Sequence, residues 1–273
     1  MSETPQVRMA GQRVVYAMPG MDTVTVRRGV TYLAANGRAL TMDIYYPSSS
    51  PKAGGWPAVL FVTGFPDAGA QRMFGRKFKD MGSYVSWAQL VAASGMAAIT
   101  YDNDVPADDV HAVLQYVRDR AEDLQIDARR LGVWACSGHV PNALSVLMQA
   151  PVAVTCAAFC YGYLLDLDGS SGVADAARQF GFVTPCAGRP VSDLPPAVPL
   201  FIARAGRDLM PGLNAALDRF VTEALASDLP VTLVNYSGAP HGFDLVTDTE
   251  GSRGVIRQIL SFMESRLISP RSR

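Results

Sequence analysis

No apolar stretch in this sequence approaches the roughly 18 uninterrupted residues that a membrane span needs, so a membrane partner is not expected. Residues Met1 to Gly20 are polar and interrupted by Pro5 and Gly11, unlike the charged-then-apolar layout of a signal peptide. Charge of one sign is missing too. Lys and Arg number 24 against 25 Asp and Glu, a net charge of -1, with no run of like charges. That balance supplies no electrostatic attraction for nucleic acid or an anionic surface. The four cysteines, Cys136, Cys156, Cys160 and Cys186, form no C-x-x-C pair. In a chain this long they read as buried thiols of a reducing compartment, and a cytoplasmic location is the expectation. Only three histidines occur, and no His/Cys cluster has metal-ligand spacing. Gly132 and Gly138 fit no dinucleotide or phosphate-loop pattern. The expected chemistry therefore needs neither metal nor cofactor.

What the chain does have is apolar content: 49% of its 273 residues, enough for one sizeable core. Thr23 to Leu33 and Leu40 to Tyr46 read as a hairpin turning at Asn36-Gly37; in its second strand Leu40, Met42, Ile44 and Tyr46 alternate with Thr41, Asp43 and Tyr45. Strands and helices then alternate. Strands are expected at Ala58 to Val62, Met96 to Tyr101, Leu131 to Cys136, Val152 to Cys160, Val198 to Ala203 and Pro230 to Tyr236. Helices are expected at Tyr84 to Ser94, from caps at Asp108 and Asp109 through Leu124, around Ala143 to Met148, and from Leu213 to Ala224. A closing helix carries Val255, Ile256, Ile259, Leu260 and Met263. This order predicts an α/β fold, a mostly parallel central sheet with helices on both faces and an antiparallel N-terminal hairpin. All of 1–273 reads as one domain. Tyr161 to Ala197 is long for a connection and rich in Gly, Asp and Pro, with a short helix near Ala174 to Phe180. It is a candidate cap over the sheet's carboxyl edge, where α/β sheets place their sites.

Three strand-end motifs carry the chemistry: Ala135-Cys136-Ser137-Gly138-His139, Gly206-Arg207-Asp208 and Pro240-His241-Gly242-Phe243. They supply an alcohol, a carboxylate and an imidazole in the order Ser…Asp…His. Ser137 is the candidate nucleophile; taking Cys136 instead would put bulky Trp134 at a position that needs a small residue. An alcohol needs a base within hydrogen-bond reach. Of the histidines, His111 shares a solvated helix face with Asp108, Gln115 and Arg118, and His139 lies two residues past the nucleophile. His241 is the candidate base, with Gly242 permitting an unusual turn. Asp208 is favoured as the orienting acid, with Asp166 and Asp168 as alternatives; Asp244 is too close in sequence to His241 to be preferred.

The segment Arg130 to Gly138 resembles the nucleophile elbow of the α/β-hydrolase superfamily, and the His241 loop resembles that of its dienelactone-hydrolase-like and small carboxylesterase branches. Two departures stand out. His139 occupies a place where the superfamily usually has Gly, and Val140-Pro141 predicts an irregular first helical turn. Val62-Thr63-Gly64-Phe65-Pro66 resembles the superfamily's His-Gly-x-Pro loop, with Thr63 in place of His. The resemblance implies an oxyanion hole built from the backbone N–H groups of Phe65 and Gly138. Substrate contacts would come from Tyr161, Tyr163, Leu164, Phe243 and His139.

By this resemblance the partner is a small-molecule ester, cleaved by a serine esterase without a cofactor. Dienelactone itself is a poor candidate, because dienelactone hydrolases carry cysteine where this chain has Ser137. An oligopeptidase-like peptidase, an acyltransferase on the same triad and a non-catalytic ligand-binding homologue are the rivals. Oligomeric state is left open by the sequence.

Overall fold

In the middle of the chain, successive side chains of the apolar runs point to opposite sides of a sheet, and both sides are covered. The computed structural model describes residues 5–35, 38–51, 53–149, 154–167 and 172–268. The elements are α1 (Pro5–Gly11), β1 (Thr25–Ala35), β2 (Arg38–Tyr46), β3 (Trp56–Phe61), α2 (Asp67–Phe74), α3 (Gly82–Ala93), β4 (Ala97–Tyr101), α4 (Pro106–Asp119) and β5 (Ile126–Cys136). After them come α5 (Val140–Gln149), β6 (Val154–Cys160), α6 (Gly172–Phe180), β7 (Leu200–Ala205), α7 (Leu213–Ala226), β8 (Val231–Tyr236), α8 (Phe243–Val246) and α9 (Glu250–Leu267).

The eight strands form one sheet in the order β1-β2-β4-β3-β5-β6-β7-β8. β1 pairs antiparallel with β2, and β2 with β4; the remaining pairs are parallel. The expected mixed α/β architecture with its N-terminal hairpin is thus what the chain adopts. The Asn36-Gly37 turn lies outside the described residues.

Period-two alternation divides the core. Ala58, Leu60, Leu131, Val133, Ala157 and Phe159 face one side, where Val110, Val113 and Leu114 of α4, Leu144 and Leu147 of α5 and Leu217 and Phe220 of α7 cover them. Val59, Phe61, Trp134, Ala158 and Cys160 face the other, under Trp87, Leu90 and Val91 of α3 and Ile256, Ile259 and Met263 of α9. Central strands buried on both faces need continuous apolar sequence, which is why they are the most readable elements.

Several boundaries differ from the sequence expectation. α4 starts at Pro106, ahead of Asp108 and Asp109, because proline at the first helical position sacrifices no intrahelical bond. Asp109 instead accepts the N–H groups of Asp104 and Val105, both at 2.7 Å. β8 is not a buried strand. It closes the sheet, and Thr232, Leu233 and Asn235 are exposed. His111 is not on a solvated face either. α4 turns Val110 and Val113 inward, so His111 falls at the margin, half-buried, with Nε2 enclosed and unpaired among the described residues. The short helices α1, α2 and α8 have too little apolar periodicity to be read from sequence.

One buried polar contact fixes the loop after β8. Asp244 at the start of α8 is 1% exposed. Its carboxylate accepts Trp87 Nε1–H at 2.7 Å and the Tyr161 hydroxyl at 2.5 Å, and its backbone carbonyl accepts the Val15 N–H at 2.8 Å. Burial pushes its pKa upward. Trp87→Phe keeps the ring but leaves one carboxylate oxygen without its donor. The expected cost is about 2–3 kcal/mol in chemical denaturation; a change below about 0.5 kcal/mol would show that this contact does not hold the loop.

Candidate active site

Strands β5, β7 and β8 end at the same edge of the sheet, and the loop after each carries one of the candidate side chains. At the end of β5 the backbone reverses sharply. Ser137 has φ +53°, left-handed for a residue with a Cβ, and opens a tight turn over Ser137–His139 that runs into α5. Val140 is helical (φ -63°, ψ -39°) despite preceding Pro141, so the expected irregularity is absorbed by this turn, one step upstream. The Ser137 carbonyl accepts the N–H of Tyr163 at 3.2 Å, which ties the turn to the segment after β6.

After β7 the chain folds back on itself. Gly206 N–H bonds the Tyr236 carbonyl at 2.9 Å, and Arg207 N–H bonds that of Ala239 at 2.8 Å. These bonds lock the Asp208 turn to the loop that carries His241. Asp208 Oδ1 accepts the Met210 N–H at 2.9 Å, leaving Oδ2 directed at His241. Gly242 takes φ +67° immediately after the histidine, the turn its sequence suggested.

The three side chains meet. Ser137 Oγ lies 2.9 Å from His241 Nε2, and His241 Nδ1 lies 2.6 Å from Asp208 Oδ2. The Asp208 side chain is fully enclosed, whereas His241 is 29% exposed and open to a reactant. A carboxylate facing Nδ1 places the ring proton there, which leaves the Nε2 lone pair to accept from the Ser137 hydroxyl. Tyr161, itself at φ +35°, packs edge-on against the imidazole with ring centroids 4.9 Å apart.

The alternatives are elsewhere. Asp244 serves Trp87 and Tyr161, Asp166 is buried among the residues after β6, and Asp168 lies outside the described residues. Burial and the Asp244 carboxylate push the Cys136 thiol well above its ordinary pKa, so it is held as the un-ionised thiol. Trp134 is packed between Phe61 and Trp87, in the core rather than at the close contact that a Cys136 nucleophile would require.

The loop after β3 lies against the nucleophile turn so closely that a Cβ on Gly64 would come 2.6 Å from the Gly138 carbonyl oxygen. Its N–H groups are engaged one after another. Val62 donates to the Trp134 carbonyl at 3.0 Å, Thr63 to the Tyr101 hydroxyl at 3.3 Å and Gly64 to His139 Nδ1 at 2.8 Å. The next N–H, of Phe65, has no acceptor among the described residues. That of Gly138 sits in the first turn ahead of α5, where N–H groups have no intrahelical partner.

Among the residues expected to contact substrate, Tyr161 touches the triad through the His241 ring and Tyr163 through its backbone N–H on the Ser137 carbonyl. Leu164 and Phe243 are 0% exposed and pack within the core. Tyr163 stacks on Phe182 at 5.2 Å and donates its hydroxyl to the Pro211 carbonyl. His139 is ringed by Phe65, Phe78 and Tyr84, with burial pushing its pKa down to about 3. It lies behind the loop, enclosed by aromatic rings. Phe182 was missed altogether; it packs against Phe65 and Gly138 from the 161–197 segment.

No protein-family model matches the chain, and no curated protein is significantly similar in sequence. Solved structures do resemble it. A thermostable esterase from Pseudomonas putida superposes with a TM-score of 0.69 at 16% identity, covering 90% of this chain and 84% of the other. A bacterial heroin esterase gives 0.66 at 17% identity, covering 93% and 88%. An esterase from the planctomycete Thermogutta terrifontis gives 0.65 at 18% identity, covering 93% and 97%. The chain has the α/β-hydrolase fold. No described helix is long and apolar enough to cross a membrane.

The left-handed turn makes a stability prediction. A side chain in this region costs about 1–2 kcal/mol, and a β-branched one more. Ser137→Gly is expected to match or exceed the parent in urea denaturation, while Ser137→Val falls about 1–2 kcal/mol below Ser137→Gly. Equal midpoints for the two variants would contradict the strained turn.

Proposed function

We propose that this protein is a serine hydrolase that cleaves carboxylic esters of small molecules through an acyl-enzyme. The observation that carries the reading is the unbroken relay from Ser137 Oγ to His241 at 2.9 Å and on to Asp208 at 2.6 Å. Related folds described as esterases add support by analogy, although a fold hosts many activities.

Ser137 Oγ attacks the ester carbonyl carbon as His241 Nε2 takes its proton, and the carbonyl electron pair moves onto oxygen. The unpaired N–H groups of Phe65 and Gly138 receive that oxyanion. Collapse re-forms the carbonyl and breaks the bond to the alcohol oxygen, which takes the proton back from Nε2. Water then attacks the acyl-enzyme with His241 again as base, and Ser137 departs with its proton restored. Asp208 stabilises the imidazolium in both halves. No step calls for a cofactor, metal or nucleic acid.

In this reading 161–197 is a cap held on the catalytic domain. Val183 donates its N–H to the Gly64 carbonyl at 2.9 Å, and Val173 and Ala176 of α6 pack with Leu213 and Ala216 of α7. Tyr161 and Tyr163, at the start of that segment, are the proposed substrate contacts. The Pro-His-Gly-Phe loop supports the dienelactone-hydrolase-like or small carboxylesterase branch as the proposed affiliation, and the four free cysteines support the cytoplasm as the proposed location.

With an activated aryl ester, Ser137→Ala is expected to lower kcat by about 10⁴–10⁶, and adding His241→Ala to cost little more, because triad members act as a unit. A double variant far worse than either single would contradict the relay. Rapid ester turnover with little amide cleavage separates this reading from a peptidase, and alcohol acceptors that outcompete water would favour an acyltransferase. His139, pushed down to about 3 by burial, adds no ionisation to the activity profile above about pH 4. An acid limb that needs two protons above that pH would contradict its burial as a neutral ring.

A further inference from the structure

His139 is out of place in a nucleophile turn. It is 6% exposed, and its ring sits 4.9 Å from Phe65, 4.8 Å from Phe78 and 5.9 Å from Tyr84, all edge-on. An imidazole in such surroundings is costly to bury unless its polar atoms are used. One is used: Nδ1 accepts the backbone N–H of Gly64 at 2.8 Å. Nδ1 must then carry a lone pair, and burial, which pushes the pKa to about 3, keeps the ring neutral as that role requires.

The contact falls at an informative point of the chain. Thr63, one residue earlier, is held on three atoms. Its N–H meets the Tyr101 hydroxyl, its Oγ1 accepts Asn103 Nδ2–H at 3.0 Å, and its carbonyl accepts Asn142 Nδ2–H at 2.7 Å. Gly64 is held on both sides, by His139 at its N–H and by Val183 at its carbonyl. Downstream, the buried Asp67 carboxylate fixes the exit of the loop by accepting the N–H groups of Phe78 and Asn103 at 3.0 and 2.9 Å. Among the described residues, the one backbone donor of this loop left without an acceptor is that of Phe65. A Gly64 N–H bound to His139 cannot also serve an oxyanion, so the loop offers a single donor whose direction depends on the peptide just before it.

We propose that His139 is a positioning residue. By accepting the Gly64 N–H it fixes the Thr63–Gly64 peptide, from which the Gly64–Phe65 peptide, held at its carbonyl by Val183, projects with the Phe65 N–H aimed at the developing oxyanion. This rests on the ester-hydrolase reading above. His139 touches no reacting atom. Its effect is confined to the charge that appears in the transition state, so it belongs in kcat rather than in substrate binding.

The experiment compares His139→Leu, which removes the acceptor, with His139→Asn, whose Oδ1 can stand near the place of Nδ1, and His139→Gln, whose acceptor is displaced by one bond. Each is assayed with p-nitrophenyl acetate after thermal unfolding has shown a folded protein. His139→Leu is expected to lose about 10²-fold in kcat with KM changed less than about threefold, since losing one oxyanion donor costs on that order. His139→Asn is expected to recover at least tenfold of that loss, and His139→Gln to stay near the leucine variant. If His139→Leu does not fold, the Asn-against-Gln comparison decides alone, with a tenfold advantage in kcat for Asn expected. Unchanged kcat in His139→Leu, a loss expressed in KM, or equal activity of Asn and Gln would overturn the proposal while the parent remains an esterase. A parent protein that releases no p-nitrophenol would overturn the ester-hydrolase reading, and this inference with it.

Discussion

The hydrogen bond between Ser137 Oγ and His241 Nε2 spans 104 residues of sequence, and its length is set by backbone. On the serine side the determinant is a left-handed φ at the end of β5. On the histidine side it is the loop after β8, held by Asp244 below and by the Asp208 turn beside it. Neither side chain has much freedom to compensate for a shift in its strand. The parallel pairing of β5, β6, β7 and β8, with both faces of the inner strands packed, is therefore the frame on which this hydrogen bond depends. A displacement of about 1 Å in either strand would break the relay, and proximity effects of that kind can cost about 10²-fold in rate.

Several polar groups are buried around this site, and they hold loop backbone or aromatic side chains in place. Asp67, pushed up to about 6 by burial, holds the exit of the β3 loop. Asn142, 0% exposed, bridges the Thr63 and Pro106 carbonyls. Asp244 anchors Tyr161, whose ring supports His241. Such groups are expensive to desolvate, and their use here is to fix loops that no regular secondary structure holds. The apolar sheet provides the stability; the buried polar contacts provide the aim.

This division explains what could be read from the sequence. The buried strands write themselves as apolar runs, and the three strand-end motifs follow them directly, so the fold class and the members of the relay were legible. The edge position of β8 was not, because Val231, Thr232 and Val234 are β-branched like residues of a central strand while Thr232, Leu233 and Asn235 are exposed. The helix at Pro106 was placed late because two aspartates resembled caps, and only the geometry shows Asp109 bonding backward to Asp104 and Val105. Leu164 and Phe243 were assigned to the pocket on residue type alone, and type does not distinguish a pocket wall from the core. His139 carried a visible anomaly, a ring where a small residue is usual, but its partner is a backbone N–H 75 positions away. No side-chain motif could reveal that contact. The resemblance to solved esterases at 16–18% identity obeys the same logic, since many apolar sequences satisfy one sheet.

The central claim is that the backbone turn at position 137 presents an activated alcohol to His241. Its most direct measurement is peptide mapping by mass spectrometry after treatment with a fluorophosphonate. The account predicts one adduct per chain, on Ser137, with a rate reduced by orders of magnitude in His241→Ala. A protein that stays unmodified, or carries its adduct on another residue at a rate indifferent to His241, would contradict it.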